Sequence, residues 1–116
     1  MSTSSKLSDA PPKVENLQRM LQFQDKAIVS RMLVKNAAGS VTLFAFADGE
    51  GLSEHTAPFD ALVIGVEGRA DVRLGGVSHS LGEGDALLMP ANTPHAVDPA
   101  GPFKMLLVML RGEKGG

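Results

Sequence analysis

The stretch that decides the fold runs from Gly82 to Val97 and reads Gly-Glu-Gly-Asp-Ala-Leu-Leu-Met-Pro-Ala-Asn-Thr-Pro-His-Ala-Val. After a Gly-Asp turn, the apolar residues 86–89 predict a short buried strand. Two prolines and Asn92 end that strand, because proline donates no backbone hydrogen bond and asparagine tolerates left-handed turn geometry. His95 follows this rigid turn. The pattern predicts an imidazole aimed from a strand end into a concave pocket.

The composition indicates one globular domain and excludes several kinds of site. The chain has 116 residues, of which 43% are hydrophobic, and a net charge of −2, which favours neither nucleic acid nor an anionic membrane as a partner. No apolar run is long enough to span a bilayer. The sequence has no cysteine, which excludes disulfides, zinc–thiolate sites and cysteine nucleophiles and fits a cytoplasmic location.

Composition also divides the chain into three parts. Residues 1–13 are rich in serine and proline, lack the apolar centre of a signal peptide, and predict a disordered lead-in. Residues 14–110 are the predicted domain, and residues 111–116 are a polar tail expected to fray. At the start of the domain, residues 14–21 have helix-like spacing and predict either a short helical turn or an irregular arm.

Turn residues separate seven or eight short apolar segments, a pattern typical of an all-β sandwich or barrel. The segments with the clearest strand character are 27–34, 41–46, 61–66, 70–74, 77–81, 86–89 and 103–110. Gly75 and Gly76 predict a two-residue hairpin, and Gly65 predicts the close approach of another backbone. Residues 52–59 are expected to form a loop, and residues 98–102 a turn. The first two segments are apolar on both faces, so we expect a cover over them, such as a second subunit.

Two motifs in this sequence resemble those of the cupin family. In the first motif, Gly49, His55 and Gly68 occupy the family's positions, whereas the second histidine falls at Ala57 and the acid falls at Ala61. In the second motif, a glycine, a proline and a histidine match, at Gly84, Pro90 and His95. Asn92 and Pro99 replace that motif's second glycine and its final asparagine.

The resemblance implies a jelly-roll β-barrel of cupin type, a double-stranded β-helix similar to small single-domain bacterial cupins of the RmlC-like superfamily. It implies that His55 and His95 point into the barrel mouth, and that two copies pair as a homodimer. The family's metal site has three histidines and one glutamate, of which this chain keeps two histidines. The resemblance therefore implies no certain cofactor, and the alternative is a divalent metal held weakly by His55 and His95.

The candidate ligand-binding residues are His55, His95, Ala57, Ala61, Asp60 and Met89. For the two histidines, the alternative is that backbone or water satisfies them near turns. The two alanines leave room that metal ligands would have filled, and Met89 lies beside the turn that carries His95. For Asp60 the alternatives are a turn cap, and a residue that fixes the tautomer of a histidine. Glu54 is expected to face solvent, and His79 to be packed or to add a metal ligand.

Three functions fit these residues, and none of them assigns a catalytic residue. The first is a binding or sensing module that holds a small, partly apolar molecule whose polar end meets the two histidines. The second is an enzyme, either metal-assisted like the dioxygenase-like cupins or a metal-free proton-transfer catalyst like the isomerase-like ones. The third is a structural cupin without a site. No strand-glycine-helix unit is present, so nucleotide binding is disfavoured.

Overall fold

The computed structural model describes residue 7 and residues 11–112, and in that part of the chain it contains nine β-strands and no α-helix. The strands are β1 (Ile28–Asn36), β2 (Gly39–Phe46), β3 (Leu52–His55), β4 (Asp60–Glu67), β5 (Ala70–Leu74), β6 (Val77–Leu81), β7 (Ala86–Met89), β8 (His95–Pro99) and β9 (Phe103–Leu110). The predicted all-β class is confirmed. Within the same residues, no helix has the length and apolar character that crossing a membrane requires.

The strands form two antiparallel sheets that face each other. One sheet has five strands in the order β1-β2-β9-β4-β7, and the other has four in the order β3-β8-β5-β6. Apolar residues at alternate positions of both sheets point inward and make the main core. That core consists of Phe46, Ala61, Val63, Ala70, Val72, Leu81, Met89, Val97, Phe103 and Met105. This arrangement agrees with the jelly-roll barrel that the sequence predicts.

Two strands were not predicted, and both belong to the four-stranded sheet. Residues 52–55, expected to be part of a loop, form β3, and residues 95–99, whose last part was expected to be a turn, form β8. These two strands pair with each other, with Leu52 opposite Val97. In β3 only Leu52 is apolar and the next three residues are exposed, so the alternation that indicates a strand is too short to recognise. Pairing with a distant strand supplies the backbone hydrogen bonds.

The glycine predictions are confirmed. Gly75 and Gly76, with φ angles of 54° and 85°, join β5 to β6 as a two-residue hairpin in which Leu74 pairs with Val77. Gly65 lies against the turn that precedes β7. Its N–H donates to the carbonyl of Asp85 at 2.8 Å, and its own carbonyl accepts from the N–H of Gly84 at 2.9 Å. No side chain fits between these two backbone segments.

Residues 14–24 form an irregular arm that lies across the outer face of the five-stranded sheet. A single turn, in which the N–H of Arg19 donates to the carbonyl of Asn16, replaces the predicted helical turn, so the irregular-arm alternative is correct. Apolar arm residues pack with Leu33, Leu43 and Val66 in a second core cluster. The buried Lys104 holds the arm, because its Nζ lies 2.5 Å from the carbonyl oxygen of Gln18 and 3.2 Å from Glu67.

Candidate functional site

The two histidines of the motifs meet in the structure. His55 ends β3 and His95 begins β8, and the two residues are direct partners in the antiparallel pairing of these strands. Their Nε2 atoms lie 3.1 Å apart, and the ring centroids are 4.3 Å apart in an edge-to-face arrangement. His95 is only 7% exposed, whereas His55 is open to solvent. The pair therefore joins the interior to the surface at one end of the space between the sheets.

Backbone carbonyls fix the orientation of both rings in the same way. The Nδ1 atom of His55 is 2.9 Å from the carbonyl oxygen of Ser53, and that of His95 is 3.0 Å from the carbonyl oxygen of Thr93. A carbonyl oxygen can only accept a hydrogen bond, so each Nδ1 carries a proton and donates it. In a neutral imidazole the remaining nitrogen, Nε2, is then an acceptor. Two neutral rings therefore present two acceptor nitrogens 3.1 Å apart.

A network of backbone hydrogen bonds holds the loop that carries His95. The N–H of Ala91 donates to Oδ1 of Asp60 at 2.8 Å, and the N–H of Asn92 donates to the carbonyl of Ala57 at 2.7 Å. Asn92 has a φ of 63°, the left-handed geometry that the sequence indicates. Asp60 therefore has the turn-capping role, and it supports the position of His95 through this loop.

Ala57, Ala61 and Met89 occupy different depths of the fold. Ala57 is half-buried in the connection from β3 to β4, two residues after His55. Ala61 and Met89 are direct partners in the pairing of β4 with β7, and both are buried in the main core. Their side chains line the interior of the fold. Whether they touch a ligand stays a prediction.

The other polar residues around the site lie on both faces of the four-stranded sheet. Glu54 is exposed, as the sequence predicts. Behind the site, Arg73 donates to Asp98 at 2.9 Å, and this hydrogen bond, with a smaller contribution from Glu54, raises the pKa of the guanidinium above its ordinary value. His79 is half-buried, and it pairs with the core residue Val72 on the inner face.

The donor set of the site does not fit a catalytic metal centre with three protein ligands. Among the residues that the structure describes, no group of three or more His, Cys, Asp or Glu side chains is placed to hold a metal ion. The two Nε2 atoms of His55 and His95 supply two ligands at most. At the positions where the family resemblance would place the other two, the chain has alanines 57 and 61, which coordinate nothing.

A group of apolar side chains borders the main core, and one of its members adjoins the histidine pair. Its members lie next to the main core and are only half-buried, so part of their surface is accessible. They are Phe44, Leu74, Leu87 and Leu107. Leu74 is the direct neighbour of His95 in the pairing of β5 with β8. The fold is therefore a two-sheet β structure in which two imidazoles lie at the edge of an apolar interior.

The comparisons with known proteins agree with that architecture, and the chain belongs to the cupin family. The sequence model of the cupin domain matches residues 42–109. A conserved protein of unknown function from Streptococcus pyogenes is 30% identical, covers 90% of this chain and 92% of its own, and has a TM-score of 0.83. The comparison with curated proteins finds no match.

Two further solved structures support the assignment. A cupin superfamily protein from Desulfitobacterium hafniense is 29% identical over 87% of this chain and 93% of its own, with a TM-score of 0.82. A cupin 2 conserved barrel domain protein from Leptotrichia buccalis is 36% identical over 84% of this chain, with a TM-score of 0.79. The match covers 47% of that longer protein. These likenesses establish the family and the fold.

Proposed function

We propose that this cupin binds a small, partly apolar molecule at the barrel mouth through His55 and His95. The observation that carries the proposal is the 3.1 Å separation of the two Nε2 atoms in a pair of which His95 is buried and His55 is open to solvent. The strand register makes the two histidines direct partners, and the loop behind His95 is held by several hydrogen bonds. Such pre-organisation is typical of a site in which side-chain geometry matters.

The surroundings of the histidine pair suit a ligand that has an apolar part and a polar end. The half-buried Leu74, which pairs with His95, offers apolar surface, while the histidines offer hydrogen bonds. Ligand pockets commonly combine an apolar lining with a few placed polar groups. The reducing cytoplasm, which the cysteine-free sequence fits, is the compartment that we assign as part of this proposal.

In this proposal the ligand needs no resident metal. A divalent ion would be held by His55 and His95 alone, and with two protein ligands it would bind weakly. Measurement of bound metals, on protein purified without a nickel column, tests this part. A stoichiometric metal content would replace the proposal with the metal-assisted enzyme.

We expect His55→Ala and His95→Ala each to abolish the binding of compounds that raise the melting temperature of the wild-type protein. The probe is a library of small alcohols, organic acids and aromatic compounds, screened by thermal shift. His79→Ala is the matched control, because it removes the third histidine from the same inner face without touching the pair. Loss of the hits in both test variants, but not in the control, supports the site.

The same screen separates the alternatives. If the His55→Ala and His95→Ala variants fold and keep every hit, the binding function is wrong and the structural alternative stands. Conversion of a bound hit into product, followed by mass spectrometry, would show the enzymatic alternative instead.

We also propose that two copies of the chain pair through the outer face of the five-stranded sheet. The strand register aligns one residue from each strand in a row that contains no polar side chain. The row consists of Val34, Val41, Val108, Leu62 and Leu88. It spans four strand spacings, or about 19 Å. All five side chains are half-buried or exposed, a patch that single soluble chains seldom leave open.

The two ends of this row are complementary to each other. A groove of about 180 Å³ lies at the β1 end, where Val34, Val41 and Val108 contribute to its lining. At the β7 end, Leu88 projects and is 50% exposed. A two-fold axis parallel to β9, the middle strand, would place the Leu88 of each copy over the groove of the other. A second copy of the chain therefore suits this face.

Leu88→Lys is expected to convert the dimer into a monomer, because it places a charge at both ends of the self-complementary interface. Analytical ultracentrifugation of the wild-type protein and the variant measures the mass. Val77→Lys is the matched control, since Val77 is 59% exposed on the other sheet. A monomeric wild-type protein, or a dimer that Leu88→Lys leaves intact, would contradict this interface.

A further inference from the structure

We infer that the polar end of the ligand presents two neighbouring hydrogen-bond donors, as a vicinal diol does. This inference rests on the proposed function and names the chemical class of its ligand. It follows from the hydrogen bonds of the two rings. Both Nδ1 protons are committed, to the carbonyls of Ser53 and Thr93, at 2.9 Å and 3.0 Å.

Because of these commitments, neither neutral ring has a proton to donate to the other. The 3.1 Å contact of His55 and His95 then brings two lone pairs together. His95 is only 7% exposed, and a polar atom that is buried costs free energy unless a partner satisfies it. The partner must donate hydrogens, because an acceptor such as a carboxylate or an ether oxygen would add a third lone pair.

The separation of the two nitrogens selects the spacing of the donors. One hydroxyl has a single proton and satisfies one nitrogen. Two hydroxyls on adjacent carbon atoms have their oxygens about 3 Å apart, close to the separation of the acceptors, so each can donate along its own line. The two hydroxyls of a chair 1,4-diol lie at opposite ends of the ring, too far apart to reach both nitrogens of His55 and His95 together.

The burial of the site sets the orientation of the diol. His55 is exposed and His95 is buried, so a ligand that enters from solvent meets His55 first. The hydrocarbon part of the molecule can then contact the half-buried Leu74, which pairs with His95. Cyclohexanediols combine two hydroxyls with an apolar ring, and they therefore serve as probes.

The test compares isomers that differ only in the placement of the donors. Full-length protein, treated with a chelator, is titrated with cis-1,2-cyclohexanediol, cis-1,4-cyclohexanediol and 2-methoxycyclohexanol, and the amide signals of Ser53, His55, Thr93 and His95 are followed by NMR. We expect the 1,2-diol to bind about tenfold more tightly than either control, the ratio that one additional hydrogen bond supplies. Nitrogen-15 spectra of the rings should show both Nδ1 atoms protonated.

The outcomes distinguish failure of this inference from failure of the proposed function. Equal affinity for all three probes, or tighter binding of cyclohexanecarboxylate, overturns the donor-pair inference. If the binding of these compounds is then lost in His95→Ala, the proposed site is still supported. A histidine with its proton on Nε2 alone also overturns the inference. Diol binding that survives in both His55→Ala and His95→Ala overturns the inference and the proposed site together.

Discussion

Replacement of Gly65 by alanine is expected to lower the free energy of unfolding by about 3 kcal/mol. A Cβ atom at this position would lie 2.0 Å from the carbonyl oxygen of Gly82 and 2.8 Å from its carbonyl carbon. Both contacts are with backbone, so no side chain can move aside. The turn cannot withdraw without cost, because the hydrogen bonds of Gly65 to Asp85 and Gly84 tie it to β4.

Urea unfolding followed by circular dichroism measures this effect, since the chain has no tryptophan or tyrosine for fluorescence. Two alanine variants serve as controls. Gly84→Ala meets open space but must adopt a φ of 82°, so it is expected to cost about 1 kcal/mol. Gly112→Ala meets open space without that constraint and is expected to stay within about 0.5 kcal/mol of wild type.

A cost for Gly65→Ala no larger than that for Gly84→Ala would contradict the close packing of β4 on the turn before β7. That packing matters for the site, because β7 leads into the loop that carries His95. A displaced β7 would move His95 away from His55. Thermal-shift hits of the wild-type protein should therefore be weaker in Gly65→Ala, even under conditions where the variant remains folded.

The parts of the fold that the sequence predicts are those with local signals. Gly75 and Gly76 specify their hairpin through backbone conformations that other residues rarely adopt, and the alternation of β5 needs no distant partner to be recognised. By contrast, β3 and β8 exist because each pairs with a strand about forty residues away. Their short, partly polar segments contain no comparable pattern, so tertiary pairing decides their structure.

The candidate site, too, is only partly predictable from the sequence. Motif spacing identifies His55 and His95, but their direct pairing and the 3.1 Å contact depend on the register of two unpredicted strands. The carbonyls of Ser53 and Thr93 leave no trace in the sequence, because every residue type provides a carbonyl. Only the structure shows that each ring bonds to the residue two positions before it. The arm, likewise, shows helical spacing but follows the sheet surface on which it packs.

Restoring the two missing family positions is expected to create a stoichiometric metal site. In the Ala57→His, Ala61→Glu variant, a third imidazole and a carboxylate would join His55 and His95 at the positions that the cupin motif assigns. Ala61 is only 5% exposed and points into the main core. An uncompensated carboxylate there is costly, so the variant without metal should be less stable than wild type.

A bound divalent ion compensates that carboxylate and adds binding energy. At a thousandfold excess over the dissociation constant, a ligand stabilises the folded state by about 4 kcal/mol, which corresponds to at least about 10 °C in melting temperature for a domain of this size. The measurement is the melting temperature with zinc, manganese or a chelator, together with metal content by mass spectrometry. The same metals should leave the wild-type melting temperature within about 2 °C, because two imidazoles hold an ion weakly.

Single variants identify the cause of the effect. Ala61→Glu alone is expected to lose stability with a chelator and to recover only part of it with metal, and His95→Ala in the double variant should remove the metal response. Tight metal binding by the wild-type protein would show that the two alanines are not what limits it. If the double variant folds and still binds no metal, the two substituted positions do not converge on the histidine pair, and the match of residues 57 and 61 to the family's ligand positions is wrong.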